Sequence, residues 1–191
     1  MSPRQPANRP AARPALRLRP LAAPFAAALL ATFLAAAGPA AAQEPKSLGT
    51  SRDWAALALD EGSRKTCYIV SQPKNQEGNF TRRGQPFLMV THRPSEKSLD
   101  VVSVLAGYSF QPGSEVTIQV GNQNFRLFTD GDSAWARDDS TDRQLVQAMR
   151  GGQTAVVRGT SSRGTKTTDT YSLAGFSASY QAINQACGVK R

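Results

Sequence analysis

Two cysteines, Cys67 and Cys187, lie 120 positions apart, and the chain has no third. That spacing excludes a redox CxxC pair. A zinc site wants four ligands, and beyond these two the chain offers one histidine, His92. In an oxidising compartment the two thiols most simply form one disulfide. Such a bond would staple an early strand to a final helix and enclose most of the fold in its loop. Its formation depends on where the chain goes.

Residues 1–42 read as a secretory signal peptide. Arg4, Arg9, Arg13, Arg17 and Arg19 form a Pro-broken basic segment without an acid, and residues 25–37 (FAAALLATFLAAA) are an apolar run. Gly38 and Pro39 break that run, and Ala40-Ala41-Ala42 supplies small residues before Gln43. At 13 residues the run falls short of the roughly 20 that a spanning helix needs, so no integral membrane span is expected in the mature chain. A twin-arginine pair is missing, which favours ordinary Sec export.

Five of the 23 Lys and Arg and none of the 14 Asp and Glu precede Gln43, so the remainder carries +4 where the whole carries +9. Much of the basicity that would suggest nucleic acid belongs to the signal, and an exported chain is not expected to meet nucleic acid. The 149 residues after Ala42 suit one domain that buries roughly 70% of its unfolded surface.

Residues 43–52 read as a polar leader and residues 53–191 as a single β-rich domain. Residues 53–59 (DWAALAL) predict a first strand with Trp54 as a core anchor, and residues 66–71 (TCYIVS) a returning strand. Residues 73–86 are a polar loop holding Arg82 and Arg83. Two more strands follow at 87–92 (FLMVTH) and 100–105 (DVVSVL). Val116, Ile118 and Val120 alternate with Thr117 and Gln119, and Gly121-Asn122 turns that strand into residues 124–128 as a hairpin. After the turn at Asp130-Gly131-Asp132, residues 133–136 carry Trp135. Asp139 or Ser140 then caps a helix that buries Leu145, Ala148 and Met149 and stops at Gly151-Gly152.

Residues 153–158 return as a strand, and GTSSRG (159–164) is a turn. In the next strand Thr165, Thr167, Asp169, Tyr171 and Leu173 share one face. After Gly175 the period changes: Phe176, Tyr180, Ile183 and Cys187 share one helical face, and Gly188 is a C-terminal stop. Eight or nine strands with two helices and no βαβ alternation predict a mainly β, antiparallel, sandwich-like domain with the helices packed on it.

Little of this suggests catalysis. A Ser-His-Asp site would have to use His92, which reads as a surface residue at a strand end. The acids Asp130, Asp132, Asp138, Asp139 and Asp142 read as a turn and a helix cap, without EF-hand spacing. No metal or cofactor is expected. Arg82, Arg83 and Arg163 are the basic positions on loops, a candidate surface for docking anionic lipid, lipopolysaccharide or glycan. Asp169, an acid on an inward face, needs a partner, and Arg163 or nearby backbone amides are the choices.

The blocks CYIVSQP (67–73), AGYSFQPGS (106–114), LFTDGDSAWARD (127–138) and GTSSRGTKTTDTYSLAGFSASYQAINQAC (159–187), with the Trp54 strand before them, resemble the invasion-associated locus B family of Gram-negative exported proteins. The resemblance implies a periplasmic, outer-membrane-associated or secreted protein. In some pathogens the family is linked to entry into host cells, and it brings no catalytic residues to carry over. The expectation is a non-enzymatic envelope protein that binds an envelope or host-surface partner; the alternative is a periplasmic hydrolase with an unrecognised carboxylate site. Mass spectrometry of the exported protein should find Gln43 at its N-terminus, and retention of residues 1–42 would refute the cleavage reading.

Overall fold

Residues that alternate along the sequence come together on one face of a continuous sheet. The structure, a computed structural model, describes residues 43–190, so the signal-peptide expectation for residues 1–42 lies outside the described residues. The strands are β1 (Lys46–Ser51), β2 (Trp54–Glu61), β3 (Arg64–Ser71), β4 (Asn75–Gly78), β5 (Phe87–Arg93), β6 (Ser98–Leu105), β7 (Glu115–Val120), β8 (Gln123–Asp130), β9 (Ser133–Trp135), β10 (Thr154–Thr160) and β11 (Lys166–Ser172). The helices are α1 (Asp139–Gly151) and α2 (Phe176–Cys187).

All eleven strands join one antiparallel sheet in the order β1-β2-β3-β5-β6-β9-β8-β7-β10-β11-β4. The inward face carries Ile69, Leu88, Val90, Val104, Ile118, Leu127 and Tyr171, all buried. Near its two ends the sheet meets itself. The Trp54 indole N–H on β2 donates to the Ser172 carbonyl on β11 at 2.9 Å, and the Asp53 amide donates to Ala174. The sandwich-like expectation thus takes the form of one sheet curled around a shared core.

Two strands lie where loops were expected. β1 occupies most of the polar leader and pairs with β2 across a bulge between Ser47 and Gly49. Of its side chains only Leu48 packs against the core, so the hydrogen-bonding edge of β2 defines it rather than any apolar pattern. β4 lies inside the loop 73–86, with every residue exposed, and pairs with β11. The cap of α1 also moves by one residue. The side chain of Asp138, in extended backbone, accepts the Thr141 amide at 2.8 Å, and that bond holds its carboxyl below the usual carboxylate range.

Helix α2 lies as its period predicts. Phe176, Tyr180 and Ile183 are buried, and the Phe176 ring meets Trp54 edge-on at 4.9 Å. The Ser179 hydroxyl donates to the Trp54 carbonyl at 2.9 Å. Gly175 starts the helix at φ +89°, where a Cβ would overlap the Ser51 carbonyl, so the close approach of β1 requires glycine there. Cys67 and Cys187 are bonded, with Cα atoms 6.1 Å apart.

His92 departs from its surface reading: it is wholly buried. Its Nδ1 accepts the Asp100 amide at 3.0 Å, and its Nε2 lies 2.9 Å from Asn184 Oδ1 on α2. A neutral ring protonated on Nε2 satisfies both. The Tyr180 hydroxyl donates to the Asp100 carboxylate. The strand end before Arg93-Pro94 looks solvent-facing in sequence because the helix that covers it lies about ninety residues later.

Replacing Cys67 or Cys187 by serine should lower the melting temperature, and the double variant should be no worse than either. A loop of ~100 residues contributes about 4.7 kcal/mol in the chain-entropy model, against a typical domain stability of roughly 5–15 kcal/mol. Thermal unfolding followed by circular dichroism checks this; equal melting of all four proteins would refute it.

Candidate functional site

Loops at one end of the curled sheet converge on Arg83. Its guanidinium donates through both terminal nitrogens to the two carboxylate oxygens of Asp169 on β11, each at 2.6 Å, and its Nε donates to the Ala106 carbonyl at 2.7 Å. Both side chains are 3% exposed. The two-pronged geometry suits a planar guanidinium, and the third bond meets a donor that burial would otherwise strand. The guanidinium carbon lies 4.9 Å from the Tyr108 ring centroid and 5.5 Å from that of Phe80.

The surrounding backbone fixes this arrangement. The Gly84 amide donates to the Gly107 carbonyl at 2.8 Å. Gly107 sits at φ +72°, where a Cβ would overlap the Gly84 backbone, so the crossing of the 79–86 and 106–110 segments needs glycine at that point. The Tyr108 and Thr167 hydroxyls are 2.6 Å apart. Burial raises the Tyr108 and Tyr171 phenols above their ordinary range, so both stay neutral. The buried Tyr171 hydroxyl has no hydrogen-bond partner among the described residues.

Above the ion pair is a cleft of about 390 Å³ whose walls include Phe80, Arg82, Tyr108, Ser162, Arg163 and Thr165. Arg82 and Arg163 are exposed. The structure therefore brings Arg82, Arg83 and Arg163 to one cleft but gives them different roles. Arg83 is corrected from a surface-docking residue to the buried partner of Asp169, and Arg163 is not that partner. The inward position of Asp169 announced the need for a cation; the sequence could not say which arginine reaches it, because Arg83 stands 86 positions away. Phe80 and Tyr108, whose rings lie beside the guanidinium, carried no periodic signal at all.

The grouped acids do other work. The Asp142 carboxylate is buried and accepts the Val102 amide at 2.9 Å, fixing α1 to β6. Burial, with Asp139, Asp100 and Asp138 nearby, pushes its pKa up to about 6. Asp138 caps α1, and Asp132 accepts the Ser133 hydroxyl at 2.9 Å. Among the described residues, no three His, Cys, Asp or Glu side chains converge as a metal set, and no helix is long and apolar enough to cross a membrane.

A curled antiparallel sheet, a terminal helix bonded to it through a disulfide and an arginine-rimmed loop cleft define a mainly β domain of one disulfide. The chain belongs to the family described as Invasion associated locus B (IalB) protein, whose family model matches residues 54–184. The match begins at Trp54 of β2 and ends at Asn184, the partner of His92. No curated protein and no solved structure matches the chain.

Removing one partner of the buried pair, by Arg83→Gln or Asp169→Asn, should cost about 3–5 kcal/mol, because the other charge is left uncompensated. Arg83→Met with Asp169→Leu should cost less than the two single losses added. Urea unfolding checks this; single losses below about 1 kcal/mol would mean that the pair is solvated.

Proposed function

We propose that this IalB-family protein is exported by cleavage of its signal peptide and acts as a non-enzymatic protein of the bacterial envelope. It is periplasmic, outer-membrane-associated or secreted, and it docks an anionic envelope or host-surface partner at the cleft between Arg82 and Arg163. The observation that carries this reading is the charge arrangement of the cleft. Two exposed arginines border it, no acid lines it, and the one carboxylate beneath it is already bound by Arg83. An anion entering there meets two positive charges, while the neutral pair below holds the loops in place. Ser109, Ser162 and Thr165 add hydroxyl and backbone groups suited to phosphate or sugar oxygens.

The non-enzymatic part of the reading draws support from the acids. A hydrolase of the carboxylate type needs two acids converging in one concave site. Asp138, Asp142 and Asp169 each have a structural partner instead: a helix end, a strand amide and an arginine.

Binding to vesicles containing anionic lipid should fall about 30-fold in Arg82→Gln/Arg163→Gln, at about 1 kcal/mol per arginine near an anionic surface. It should also weaken as salt shortens the screening length. Sedimentation with vesicles at low salt checks both. Absence of wild-type binding at low salt, or binding that is unchanged in the double variant, would refute docking through this cleft.

A further inference from the structure

The outer face of the curled sheet changes character halfway round. Across β8, β7, β10 and β11 one row reads Arg126, Thr117, Arg158 and Thr168, the polar surface expected of an antiparallel sheet facing water. Across β2, β3, β5, β6, β9 and β8 another row reads Ala55, Val70, Met89, Ser103, Trp135 and Phe128. The row beside it begins Leu57 and Tyr68. Most of these side chains are half-buried, and Ser103 is buried among them. Neither helix covers this face: α2 is bonded to inward Cys67, and Asp142 of α1 reaches the amide of Val102, whose side chain belongs to the core.

The sequence carries the same asymmetry. β7 alternates strictly, whereas WAALAL, CYIV and FLMV are apolar on both faces, the composition of strands covered on both sides. A contiguous apolar face of this extent marks an interaction surface.

We infer that this face packs against the same face of a second copy of the chain. From Ala55 to Trp135 the first row carries no charge. At its β8 end Phe128 stands opposite Glu115, whose carboxylate pairs with Arg126 and with Arg137, the latter lying 5.7 Å over the Phe128 ring. The charges that border the patch are thus paired, and two copies meet without burying an unpaired ion. Sheets stack face to face at about 10 Å, aligned within about 30°, and a two-fold axis brings one patch onto itself. The area also fits. Strands about 4.8 Å apart with outward residues every ~6.8 Å give roughly 33 Å² per position. About fifteen outward positions on β2, β3, β5, β6 and β9 with Phe128 then cover roughly 490 Å² per copy, or about 1,000 Å² for the pair, the lower bound for a specific interface. At the edge, the β2–β3 hairpin carries Asp60 and Glu61 opposite Lys65 and Arg64, so the rim has both signs to offer its symmetry mate.

Sedimentation velocity of the disulfide-intact protein from about 1 to 100 µM tests this, the range in which a modest interface dissociates. The expected result is a mass that rises from one chain to two. Met89→Glu should shift the midpoint at least tenfold towards monomer, while Thr168→Glu on the polar half leaves it in place. Circular dichroism confirms folding, and Leu57→Ser replaces Met89→Glu if the latter does not fold. A single-chain mass at every concentration overturns the inference, as does a dimer that survives the folded variant. A monomer that binds neutral phosphatidylcholine vesicles, and loses that binding in the same variant, overturns it in favour of a lipid surface.

Discussion

Helix α2 lies against β1, β2, β3 and β5, and the Cys67–Cys187 bond fixes its far end to β3. Its near end follows β11 directly through Gly175, so one short helix is tied to both ends of the strand order. The core is sealed from that side: Phe176 against Trp54, Tyr180 onto Asp100, Asn184 onto His92, then the disulfide. Two of these contacts, Tyr180 to Asp100 and Asn184 to His92, engage polar groups that would be costly if left unmet in the interior. The helix thus covers apolar surface and completes hydrogen bonds together, and the curl of the sheet depends on both.

At the loop end a buried ion pair plays the corresponding part. Arg83 and Asp169 join a segment that precedes β5 to the interior of β11, and the Ala106 carbonyl draws in the segment after β6. Three stretches far apart in the chain are held by one guanidinium. Because that group is neutralised and covered by Phe80 and Tyr108, the field at the cleft mouth comes from Arg82 and Arg163. Adjacent residues thus point apart, Arg83 inward to the ion pair and Arg82 outward at the cleft mouth.

Local chemistry made much of this legible. The helix that follows Gly175, the alternation in β7, the turn at Gly121 and the pairing of two lone cysteines each rest on residues near one another or on simple counting, and the structure has all four. Edge strands β1 and β4 did not announce themselves, because backbone bonds to a neighbour define them and their side chains cover little. His92 and Arg83 were misplaced for a related reason. Each sits where the adjoining sequence looks solvent-facing, and each finds a partner on an element about ninety positions later. The outer apolar face is written openly in WAALAL and FLMV, which are apolar at successive positions and so on both faces of their strands.

The closing contacts of the curl have a kinetic meaning. Trp54 donates to Ser172 across 118 positions and accepts from Ser179 across 125, while β1 and β2 receive α2 from the opposite end of the domain. The native topology is therefore weighted towards partners far apart along the chain, a high contact order. Loop-closure entropy must be overcome before these contacts return any free energy, which places the fold among the slow ones. Until residues 172–187 arrive, the strands around Trp54 and Cys67 stand without their cover, and their apolar inner face is open to whatever else binds such surfaces.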